Sequence, residues 1–175
     1  GRRHCVRPPP HNRETAMATL GPLPAAQRDR IFRHAAALFI AGLVFGLIFT
    51  FEALGHVAAW PLLPAIDFDF PGSEQAWRRT HLGAVINALA MLLFALAGPH
   101  LQLGERGRRS FVWAVLITGW GNTLGFLVGT LFGARGLAFG GGVANSLGYL
   151  LFLAAAISAF VQGGQLWSGA RGARD

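Results

Sequence analysis

The stretch "LGAVINALAMLLFALAGPHLQL", residues 82–103, decides the fold: none of its 22 residues is Asp, Glu, Lys or Arg. A helix needs roughly 20 apolar residues to cross about 30 Å of hydrocarbon, and this run meets that length. Three further runs do the same, at 35–54, 111–132 and 143–161. A soluble core does not need four such lengths. The sequence therefore predicts an all-α integral membrane protein, a bundle of four transmembrane helices. The membrane domain is expected over residues 28–168, with a disordered arm at 1–27 and a short tail at 169–175.

Composition agrees, with 53% hydrophobic and only 13% charged residues. All 15 cations are arginines, and their placement gives an orientation. Twelve lie before the first span, between spans two and three (Arg106, Arg108, Arg109) or in the tail (Arg171, Arg174). The other two loops hold only Arg78, Arg79 and Arg135. The positive-inside rule then predicts both termini in the cytoplasm, in the inner membrane of the cell. A pI near 11.6 does not point to nucleic acid here, because these cations flank membrane segments rather than forming a free basic face.

The arm "GRRHCVRPPPHNRETAMATL" (1–20) is rich in Arg and Pro, holds the only cysteine, Cys5, and lacks the short apolar core of a secretory signal. Met17 is a candidate natural start. One cysteine excludes a disulfide framework and a cysteine metal site. "AAQRDRIFRHAA" (25–36) is expected to begin a helix at the inner surface. The prolines, Gly72 and the Asp67/Asp69 pair of the first loop predict an ordered cap, with Ser73 or Asp69 capping the helix of span two. Gly121, Gly125, Gly129 and Gly133 form a small-residue ridge at helical spacing in span three, and Gly42 with Gly46 repeats it in span one. Such ridges let helices approach closely in lipid, and they also leave room for a planar cofactor.

Polar groups at membrane depth are functional candidates because each must find a partner there. They are Glu52, His56, His81, Asn87, His100, Thr118, Asn122 and Asn145. His34 and His100 near the inner side and His56 and His81 near the outer side allow paired histidines to ligate haem, as in a membrane electron carrier or a redox or gas sensor. His81 and Asn87 are six residues apart, so on one helix their side chains diverge by about 120°. They serve two cavities, or one site repeated at a subunit interface. Thr118, Asn122, Gly125, Phe126 and Gly129 share one face of span three, which reads equally as a pocket wall or a packing seam.

At these residues the chain resembles the styrene oxide isomerases. "FPGSEQAWRRTHLGAVIN" (70–87), "GWGN" (119–122) and "RGLAFG" (135–140) look like three motifs of that family, in register with no gap. The resemblance is strong over about residues 70–140 and elsewhere covers only the four-span layout. It implies a homotrimer with haem b between subunits, isomerising a small hydrophobic epoxide to a carbonyl by Lewis-acid ring opening and a 1,2-hydride shift. It further implies His81 as the axial iron ligand and Asn87 as a residue that positions the epoxide. Trp120, Asn122 and Arg135, in the other two motifs, are implied as cofactor-binding. The chain departs from the family at two positions: Thr118 stands where the family has a catalytic aspartate, and Phe126 where it has a pocket tyrosine. The only tyrosine here is Tyr149, in span four.

Overall fold

The computed structural model describes residues 20–57 and 59–171. Within them lie four helices: α1 (Ala25–Leu54), α2 (Glu74–Ala97), α3 (Glu105–Phe132) and α4 (Val143–Arg171). All four are long and apolar enough to cross a membrane. The shortest, α2, has 24 residues, about 36 Å at ~1.5 Å per residue. The chain is an all-α membrane bundle, as the four apolar runs predict.

Helix ends differ from the apolar runs for local reasons. Span two, expected over 82–103, is a helix over Glu74–Ala97 followed by a 3-10 turn at Gly98–His100. Ser73 caps its start, the side chain accepting from the Ala76 N–H at 3.3 Å, so the polar turn "EQAWRRT" is helical. Pro99 has no N–H to continue the ladder at the other end. The inner turn expected at "GERGRRS" is mostly the first turns of α3, and α4 runs ten residues beyond 161. The arm expected up to residue 27 is ordered from Leu20 onward: Gly21 pairs with Leu103, and Leu23 is buried. Cys5, Met17 and the rest of the arm lie outside the described residues, as do residues 172–175 of the tail.

The central pair is α2 and α3, with α1 packed on α2 and α4 on α3. Half of the α3 apolar window is buried, against 11% in α1 and in α4. The outer helices therefore present Ile40, Leu43, Leu47, Leu150, Ile157 and Phe160 outward, as lipid-facing side chains do. The shared core sits toward the end that the arginine placement predicts to be the inner one, and is built from Ile31, Leu38, Met91, Phe111 and Val115 with Leu23, Leu101 and Leu103.

That inner end is also tied by backbone. Gly21 and Leu103 exchange hydrogen bonds at 3.2 and 3.0 Å, the Leu23 N–H donates to Gly98 O, and Gln102 donates to Gly169 O. The outer end is looser. After Gly55 ends α1 in the left-handed conformation (φ 71°), β1 (His56–Val57) pairs antiparallel with β2 (Ile66–Asp67). Between them the Trp60–Leu63 tip is exposed. Phe68 and Phe70 then lead back to Trp77 at the start of α2.

Candidate functional site

Glycine spacing and a carbonyl fix His81. A Cβ added at Gly46 would stand 2.8 Å from His81 Nδ1 and 2.9 Å from Cε1, so only glycine leaves room for the imidazole against α1. There His81 Nδ1 lies 2.8 Å from Gly42 O. A carbonyl only accepts, so Nδ1 carries a proton, and in the neutral ring Nε2 is left with its lone pair. This second contact is the kind that orients a metal-binding histidine and sets its tautomer.

The other histidines differ. Trp120 Nε1 donates to His34 Nδ1 at 3.3 Å, with the two rings edge to face. The neutral His34 ring then carries its proton on Nε2 and has no lone pair to give a metal. His56 bonds Leu54 O through Nδ1 at 3.0 Å in the outer loop, and His100 is exposed at the end of the 3-10 turn. No group of three or more His, Cys, Asp or Glu side chains gathers among the described residues, so a metal ion held by protein ligands alone has no cluster here.

Asn87 turns the other way, as its spacing from His81 predicts. Its Nδ2 donates to Thr123 Oγ1 on α3 at 3.3 Å. One turn outward, Phe126 lies against Gly83, where a Cβ would come within 2.8 Å of the ring. One turn further, Thr80 Oγ1 and Thr130 Oγ1 lie 2.8 Å apart and share the acceptor Ala76 O, at 3.1 and 3.2 Å, between their two protons. The α2–α3 seam is thus a ladder of three rungs, two polar and one aromatic. Sequence reasoning missed Thr80, Thr123 and Thr130. Their signal was the seven-residue spacing shared by Thr80 with Asn87 and by Thr123 with Thr130.

Above this ladder an open cavity of about 1040 Å³ lies between α2, α3, α4 and the outer loops. Phe126, Phe152, Leu131 and Leu153 give it an apolar wall, while Arg79, Arg135, Gln75 and Tyr149 bring polar groups to it. The Phe126 and Phe152 rings meet edge to face at 5.1 Å. Gly125 and Gly129 line the same space. Gly121 and Gly125 also pack α3 on α4, one against Leu151 O and the other against the Phe152 ring. The glycine ridge thus packs α3 on α4 along part of its length and borders the open space along the rest.

Nearly all of this four-helix unit, residues 27–171, matches the family model of styrene oxide isomerase. The chain belongs to the styrene oxide isomerase family. It is also 24% identical over 109 residues to the curated styrene-oxide isomerase of Pseudomonas fluorescens, a match covering 61% of this chain and 63% of that relative's length.

Against the styrene oxide isomerase pattern, one chain does not gather the expected residues into one place. His81 faces α1, Asn87 faces α3, and Phe126 and Arg135 line the outer cavity. Thr118 donates to Ala155 O at 3.3 Å within the α3–α4 seam, and Trp120 is engaged with His34. Asn122, half-buried, follows Thr118 by one turn of α3. The face shared by Thr118, Asn122 and Phe126 is thus a seam at Thr118 and a pocket wall from Gly125 outward.

Proposed function

We propose that this protein is a membrane epoxide isomerase that uses haem b and converts a small hydrophobic epoxide to the isomeric carbonyl compound. The observation carrying the reading is His81, clamped by Gly42 O and Gly46 with its Nε2 lone pair free. A haem asks one side chain for one such lone pair, so His81 fits the group where a multi-ligand metal site finds nothing. Bound there, ferric haem supplies a Lewis acid toward the epoxide oxygen.

The reaction balances within the substrate. The benzylic C–O bond breaks with its electrons on oxygen, a hydride moves with its pair from the oxygen-bearing carbon to the cationic one, and an oxygen pair closes the C=O bond. No water, reductant or external proton enters. The chain's contribution is therefore binding, orientation and dryness. Asn87 spends one N–H on Thr123 and keeps the other to donate to an oxygen. Phe126, Phe152 and Leu153 offer an apolar wall that keeps water from capturing the cation as a diol. Thr118, neutral and committed to Ala155 O, is not assigned a proton-transfer role.

Because His81 and Asn87 face opposite neighbours, a complete site draws on two copies of the chain, and the assembly we propose is a homotrimer with haem between subunits. The arginine distribution supports the cytoplasmic membrane with both termini inside. An electron carrier built on two histidine pairs is disfavoured by His34, whose lone pair is taken by Trp120. The test is conversion of styrene oxide to phenylacetaldehyde by membranes holding wild type or His81→Ala. Wild type is expected to form aldehyde and show a Soret band, and the variant to lose both at least 100-fold. Wild-type membranes inert toward a series of aryl and alkyl epoxides would sink the isomerase reading.

A further inference from the structure

Three hydroxyls line the outer cavity, and two already take part in bonds within the protein, Ser73 as an acceptor only. Ser73 Oγ accepts from the Ala76 N–H at 3.3 Å, and Thr130 Oγ1 is bonded to Thr80 Oγ1 and to Ala76 O at 2.8 and 3.2 Å. The third is Tyr149, half-buried on the α4 face that also carries Phe152, Leu153 and Ala156 into the cavity. Its ring is held edge to face against Phe139 at 6.1 Å. Its hydroxyl has no partner among the described residues. The remaining free polar groups are the O–H of Ser73, exposed at the cap of α2, the amide of Gln75 and the exposed guanidinium groups of Arg79 and Arg135.

A phenol is the suitable donor for a neutral oxygen beside an apolar wall. It donates one O–H without placing a charge in a space of low polarity. Next to it, the Phe126 and Phe152 rings offer a surface for an aromatic ring. The geometry points to Tyr149 as the side chain that holds the oxygen of an aryl epoxide whose ring lies against Phe126 and Phe152. This rests on the epoxide reading above and adds to it one residue, Tyr149, as the holder of the substrate oxygen.

Tyr149 is the only tyrosine in the chain, so incorporated 3-fluorotyrosine gives a single 19F resonance for this phenol. In lipid nanodiscs, acetophenone, an unreactive arene carrying an oxygen, is expected to shift that resonance at concentrations where ethylbenzene does not. Equal responses to the two, or none, would overturn the assignment. In turnover, Tyr149→Phe keeps the ring and its contact with Phe139 and is expected to lower kcat/KM for styrene oxide about tenfold, the loss of one hydrogen bond. If wild type turns over epoxides and Tyr149→Phe matches it, the assignment falls and the isomerase reading stands. If wild type turns over no epoxide yet acetophenone alone shifts the resonance, the isomerase reading falls and the oxygen-binding phenol stands. Circular dichroism of the variant checks that the helices are intact.

Discussion

A single methyl group is the sharpest probe of the His81 clamp. In Gly46→Ala the new Cβ meets the imidazole below 3 Å, so the ring must leave its bond to Gly42 O. Helix propensity alone favours this change by about 1 kcal/mol. The expected result is therefore a protein of nearly unchanged melting temperature whose Soret absorbance per mole of protein falls several-fold. Thr123→Val probes the neighbouring seam. It keeps the volume but strips Asn87 of its partner, and it is expected to cost about 1 kcal/mol in equilibrium unfolding from mixed micelles. At this scale the sequence was half legible. The spacing of His81 and Asn87 said that they point apart, because the angle depends only on helical geometry. It did not say that Gly42, Gly46 and Thr123 receive them, because a helical pattern gives a face and not the neighbour across it.

Among the elements, α3 carries the packing. Gly121→Leu would push a side chain into Leu151 O, a backbone atom that cannot swing aside, and is expected to destabilise the α3–α4 pair by about 1–3 kcal/mol. Gly164→Ala on α4 meets nothing within 4 Å, and thermal unfolding should show it neutral or stabilised by up to about 1 kcal/mol. The contrast tests whether a helical glycine is there for a neighbour. The four helices were legible because hydropathy reports hydrocarbon thickness directly. Their ends were not, since "EQAWRRT" and "ERGRRS" are polar turns that stay helical outside the apolar core, with Ser73 capping one and Gly104 beginning the other.

For the whole molecule, the orientation read from arginines is open to labelling. In a Cys5→Ser background, Leu62→Cys in the exposed first loop is expected to react with an impermeant maleimide on intact cells, and Arg106→Cys only after permeabilisation. The reverse pattern would invert the topology. The two ends of the bundle also differ in construction. At one end, backbone bonds from Gly21, Leu23 and Gln102 lace the start of the first helix to the inner turn and the close of the last. At the other, loops stand around an open volume. The open volume thus stands at the loop end, away from the laced one, and a guest of the proposed isomerase would be taken up and released on that side.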